Sequence, residues 1–199
     1  MPLKFQYNKI ALQQLEKQLN IRVRALPTIK NKESALRIEV KRAKDEMNKL
    51  ETVYRQMIKE YDHMVDLWGE FDITLVGIKD IHLVVQKIAG VKTPVLEKID
   101  FYTEKFSVFN KPKWFLDGID LIKKIATVGI EKEVFNRKME LLDRARKKTT
   151  QKVNLFEKIQ IPGYEDAIRK IKRFMEDEDN LSKSAQKIVK NRQQQEAYL

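Results

Sequence analysis

Cysteine is absent from all 199 residues, so no disulfide can staple the fold and no thiolate can act as nucleophile or zinc ligand. A reducing compartment fits that absence. Histidine occurs twice, at His63 and His82, and a metal site would have to recruit carboxylates from distant parts of the chain. Six glycines and five prolines are few, which disfavours turn-rich sandwiches and barrels. Long apolar runs are missing as well. Stretches such as Leu83–Val85 are only a few residues long, against the ~20 that cross a bilayer. The opening segment MPLKFQYNKIALQQLEKQLN has no uninterrupted apolar centre and no small-residue cleavage site, so it is not expected to be a signal peptide.

Catalytic patterns are missing too. There is no GxxxxGK[ST] phosphate loop, no GxGxxG and no GxSxG. His63, between Asp62 and Met64, reads as a solvated helix residue, and His82 falls in a strand-like stretch. The acidic run MEDEDN at 175–180 lacks the spacing and the glycine turn of a calcium loop. The expectation is a chain with no catalytic, cofactor-binding or metal-binding residues.

What is present is charge. Asp, Glu, Lys and Arg make up 35% of the chain, and the net charge is +11. A basic excess invites a nucleic-acid reading. Here, however, the basic residues are interleaved with acidic ones; RKIKRF at 169–174 runs straight into MEDEDN. A charged, solvated helical surface accounts for the excess, and no nucleic-acid partner is expected.

Hydrophobic spacing gives the strongest signal. Leu36, Val40, Ala43, Met47, Leu50, Tyr54, Met57, Tyr61, Met64, Trp68 and Phe71 follow one another at alternating intervals of four and three. That is a 3.5-residue repeat, the mark of a coiled-coil seam. No Gly or Pro interrupts residues 34–68, and at 1.5 Å per residue the stretch 34–71 predicts a rod of roughly 57 Å. Trp68 falls on the seam and is expected to pack there. Upstream, Ile10, Leu12, Leu15 and Leu19 continue an amphipathic pattern, Asn8 is a candidate N-cap, and Pro27 predicts a kink. A second rod lies at the other end. Phe135, Leu142 and Phe156 are multiples of seven apart, Met139 and Val153 share their face, and Ile161, Tyr164, Ile168, Ile171 and Met175 resume the pattern beyond a local irregularity at Pro162–Gly163.

Residues between the rods differ. DITLVGIKDIHLVV and KTPVLEKIDFYTEKFSVF are rich in β-branched and aromatic residues and punctuated by glycine and proline. They predict short strands forming a hairpin joined across the GVKTP region. Neither rod can leave its stripe in water, so the two arms should pair. The fold expected is mainly α: a long antiparallel two-helix coiled coil of N- and C-terminal arms, residues 1–71 and 119–199, around a small β-hairpin-like module at 72–118.

The C-terminal arm carries a more specific pattern. KKTTQKVNLFEKIQIPGYEDAIRKIKRFMEDED places Lys147, Lys148 and Lys152 ahead of Val153, Asn154, Leu155, Phe156 and Glu157, then Ile161–Pro162, the repeats Ile168 and Ile171, and acidic Glu176. The N-terminal arm offers NKIALQQLEKQL and then IKNKESALRIEV, with Lys30, Lys32 and Leu36. Together these resemble the D subunits of the V-type/A-type ATPases, the central rotor shaft, in their prokaryotic branch. The resemblance implies a non-catalytic subunit that couples ATP hydrolysis or synthesis in a ring of A and B subunits to H⁺ or Na⁺ movement. It implies as partners the small F subunit, the catalytic A and B subunits, and the C or d subunit at the base of the stalk. It also implies a cytoplasmic location, peripheral to the membrane through the complex alone. Two readings stand outside that family. One is a generic coiled-coil scaffold, which usually dimerises, whereas this chain carries both helices of its pair. The other is a basic nucleic-acid-binding helical protein, whose binding would fall steeply with salt.

Overall fold

Asn8 opens the first helix. Its Oδ1 accepts the Ala11 N–H at 2.7 Å and its carbonyl accepts the Leu12 N–H at 3.1 Å, which satisfies donors that a helix start leaves unpaired. In the computed structural model, which describes residues 4–107, 109 and 111–196 (backbone only for 65, 66, 195 and 196), this helix is α1, Lys9–Glu60. It runs on through the exposed Pro27, so the proline does not end it.

The heptad outlasts the helix. Beyond Glu60 the chain tightens into a 3₁₀ turn, Asp62–Met64, and one turn of helix, α2 (Val65–Trp68). The Tyr61 N–H donates to the Ile58 carbonyl and the Met64 N–H to that of Tyr61, three-residue bonds that swing the chain off the helix axis. The predicted rod over 34–71 is therefore a continuous α-helix only as far as Glu60. The cause is aromatic packing: Trp68 and Phe71 turn to meet Trp114 and Phe115, with ring centroids 5.1–5.8 Å apart. Phe71, Leu75, Val76, Phe115 and Ile119 form a buried cluster there, with Trp68, Phe106, Trp114 and Ile122 against it. Asp72 caps the next 3₁₀ turn, Ile73–Leu75, by accepting from the Thr74 N–H and hydroxyl.

Two strands follow, β1 (Val76–Ile88) and β2 (Val91–Thr103), paired antiparallel from Val76↔Thr103 to Ile88↔Val91. They are longer than predicted, and the turn is earlier. Ala89 and Gly90 alone make it, both at positive φ (49° and 81°), the two-residue turn whose twist suits a hairpin. Val91–Pro94, expected in the connection, lie in β2. Pro94, opposite Val85, is tolerated because a two-stranded sheet has only edge strands. Of the FSVF stretch expected to continue the strand pattern, Phe106, Ser107 and Phe109 are outside β2, and Val108 lies outside the described residues.

The chain returns as α3 (Phe115–Leu155), passes through one π-helical turn, Phe156–Gln160, and continues as α4 (Ile161–Glu196). The π turn explains the irregularity expected at Pro162–Gly163. Pro162 donates no hydrogen bond, and just ahead of it the Ile161 N–H reaches back five residues to the Phe156 carbonyl. Pro162 then sits in the first turn of α4, where its lack of a donor costs least.

The chain divides into two compact units, residues 32–148 and residues 1–31 with 149–199. In residues 32–148 the helices pair antiparallel. Leu36, Val40 and Ala43 meet Met139, Leu142 and Ala145, and the hairpin tip adds Ile88 and Val91 to the same cluster. Farther along, Lys132 reaches Glu51 at 3.0 Å and lies over the Tyr54 ring. In the other unit, Tyr164, Ala167, Ile168 and Ile171 of α4 are buried, while Lys30–Glu157 (2.7 Å) and Lys172–Glu16 (2.8 Å) bridge the two helices in the same antiparallel sense.

Leu142 and Leu36 are fully buried, so Leu142→Ala should destabilise by about 2–5 kcal/mol. Ile38→Ala, at a side chain 54% exposed, should leave the thermal melt nearly unchanged. Equal losses in circular-dichroism melts would contradict the seam. At the hairpin, Ala89 bears the left-handed conformation that an asparagine tolerates better. Ala89→Asn should stabilise by roughly 1 kcal/mol, and a melt that falls would contradict the turn geometry.

Candidate interaction surfaces

A chain expected to carry no chemistry acts through its surfaces, and the seam decides which faces are left for partners. Of the predicted seam residues, Leu36, Ala43, Phe71 and Leu142 are buried. Val40, Met47, Leu50, Tyr54, Met57, Tyr61, Met64, Trp68, Phe135, Val153 and Phe156 are half-buried. Half-burial is what a two-helix seam produces, because each side chain is covered from one side only. The structure brings Leu36, Val40 and Ala43 onto Leu142. It turns Phe71 and Trp68 into the aromatic cluster and places Phe135 beside a cavity of about 240 Å³ shared with Pro94, Val95 and Leu96 of β2. In the unit holding Val153 and Phe156, the Arg22 guanidinium lies 5.9 Å from the Phe156 ring and 4.6 Å from Tyr164, and its Nε donates to the Gln160 Oε1 at 2.7 Å. Missing from the heptad reading were Ile88, Val91 and the buried Thr93, whose hydroxyl donates to the Gln86 carbonyl. A strand's period of two gives no hint that its tip will pack on a helical seam.

Two stretches leave apolar side chains in the open among the described residues. β1 stands outside β2: every side chain from Ile78 to Lys87 is exposed, Leu83, Val84 and Val85 among them. In α4 every side chain from Glu176 to Gln194 is exposed, including Leu181, Ile188 and Val189. The acidic run 176–179 is thus solvated helix, as its sequence implies. His63 is exposed in its turn, and His82, on β1, is bonded to Asp100 at 2.9 Å. Among the described residues no group of three or more His, Asp or Glu is placed to hold a metal ion. No described helix is long and apolar enough to cross a membrane.

Ion pairs lace the outer faces. Lys98 and then His82 hold the Asp100 carboxyl below its ordinary range, and Lys132 and Arg55 do the same for Glu51. Lys147 and Arg146 lower Asp143, while the Thr74 hydroxyl, the Thr74 N–H and Lys111 lower Asp72. A carboxylate lowered in the folded state adds stability that is complete above its unfolded value, near 4, and is lost as pH falls through the folded one. The melting temperature should therefore drop as pH falls below about 4. A melt that rises on acidification would contradict these pairs.

Over this geometry, a family model described as the D subunit of ATP synthase matches residues 11–191. Similar proteins include the V-type ATP synthase D subunit of Borreliella burgdorferi, 27% identical over 192 residues that cover 94% of each chain. The V-type ATP synthase D subunit of Chlamydia muridarum is 29% identical over 195 residues, covering 90% of this chain and 92% of its own. That of Chlamydia pneumoniae is 26% identical over 172 residues, 82% and 81% of the two chains.

Proposed function

The chain belongs to the family of ATP synthase D subunits, and from that premise we propose that it is the central-stalk rotor of a V-type/A-type ATPase. In this reading it is a non-catalytic subunit. It couples ATP hydrolysis or synthesis in a ring of A and B subunits to H⁺ or Na⁺ movement through the membrane ring. Its partners are the A and B subunits, the F subunit along the stalk and the C or d subunit at the base. It meets the membrane through the complex alone, on the cytoplasmic side, and takes no nucleic acid. Residues 1–71 and 119–199 form the shaft and 72–118 a head, with the seam from Leu36 to Phe156 as its spine.

The observation that carries the proposal is that a single chain of this family supplies both helices of an antiparallel coiled coil. A shaft must resist twisting, and two helices locked by interdigitated side chains resist it better than one. A rotor must also meet several equivalent surfaces in turn without adhering to any of them. Its outer faces suit that, being lined with paired charges such as Arg37–Glu33, Arg42–Glu39 and Arg55–Glu51. Such exposed pairs contribute little to binding strength and keep the surface solvated.

The test is purification of the tagged chain from native membranes. Recovery together with ATPase A, B and F subunits and a membrane ring supports the proposal. Recovery as a self-associated oligomer free of those subunits, or with nucleic acid, would overturn it.

A further inference from the structure

The end of the seam is a long stretch without lysine or arginine. Glu60, Asp62, Asp66, Glu70 and Asp72 follow one another with no Lys or Arg between Lys59 and Lys79, in a chain of net charge +11. Beside this segment lies a cavity of about 300 Å³, walled by the rings of Tyr61, Trp68 and Trp114 and edged by the carboxylates of Asp117 and Asp120. The two indoles meet edge to face, 5.5 Å apart at 87°, and Trp114 is braced against Phe71 and Phe115. Gly118 allows the close approach: a Cβ there would come within 3.1 Å of Trp114 and 3.3 Å of Phe71.

We propose that this cavity is a socket for a basic side chain, an arginine or lysine, presented by a protein partner. Aromatic faces are negative and attract a cation lying over them, most strongly when a partner excludes water. The two carboxylates add the opposite charge, and neither pairs with a cation among the described residues. Asp117, in the first turn of α3, already gains from the helix N-terminus, but Asp120 lies a turn deeper and has no such partner. The volume is at the lower end of the roughly 300–1,000 Å³ of small-molecule pockets, which suits one side-chain head better than a cofactor. A phosphate or an acidic peptide would meet the two carboxylates and be repelled. Half-buried Met64 and Leu121 at the rim offer apolar surface for a folded partner to cover, which a free polyamine would leave wet. Lys124, exposed on the same rim, is the chain's own competitor for the site. The proposal rests on the cavity and not on the rotor reading, so neither falls with the other.

The chain's two tryptophans are Trp68 and Trp114, so its indole signals report on this cavity and nowhere else. The full chain is titrated with the peptide acetyl-Gly-Arg-Gly-amide, its citrulline counterpart and spermidine, following the two indole N–H resonances. The arginine peptide should give saturable shifts and the citrulline peptide none. Asp117→Asn with Asp120→Asn should weaken binding at least fivefold, and Lys124→Ala should tighten it two- to threefold. Should the double variant lose its helical circular-dichroism signal, Asp120→Asn alone and Lys124→Ala decide. Absence of saturable shifts overturns the proposal, as do equal responses to citrulline or unchanged affinity in the folded carboxylate variants. Tighter binding of spermidine than of the arginine peptide would make this a small-cation site and overturn it too.

Discussion

Everything in this fold depends on covering one apolar stripe with another stripe from the same chain. A helix as long as α1 draws little stability from propensity, and its seam would be costly in water. Leu36 and Leu142 are the clearest expression of the solution, each fully buried against the other helix, and each worth about 1.5–3 kcal/mol of burial. The bridges Lys132–Glu51 in one unit, and Lys30–Glu157 and Lys172–Glu16 in the other, are exposed or half-exposed. Such pairs favour one register over its neighbours more than they add stability.

The remaining features adapt to that pairing. A seam has to end, and near Phe71 it ends in aromatic rings that meet edge to face or tilted. The hairpin has too little area to stand alone, since a two-stranded sheet is marginal in water. It is held at its base by Val76 in the aromatic cluster and at its tip by Ile88 and Val91 on the helical seam. β1 is left outermost, with Leu83–Val85 in the open.

Periodicity made the pairing legible, because a 3.5-residue repeat has one physical meaning and Leu36, Ala43 and Leu142 are buried where it places them. The Asn8 cap was equally plain, since its chemistry is local. What escaped is decided by contacts distant in sequence. Nothing in the spacing of Tyr61, Met64 and Trp68 says the helix will tighten and turn there, because the cause is Trp114 and Phe115, more than forty residues on. The hairpin turn lies earlier than the GVKTP region suggests: Gly90 is in it, but Pro94 belongs to β2, and Ala89 carries no turn signal. The aromatic cavity needed Trp68 and Trp114 to be brought together before it could be seen at all.

The proposed rotor role requires that this chain turn. Because it has no cysteine of its own, one introduced at the exposed Lys79 of β1 would be the only site on it for a biotin-linked bead. With the assembled complex fixed to a surface through its catalytic ring and supplied with ATP, the account predicts stepwise rotation of the bead in one direction. A bead that stays still while the same complexes hydrolyse ATP would contradict it.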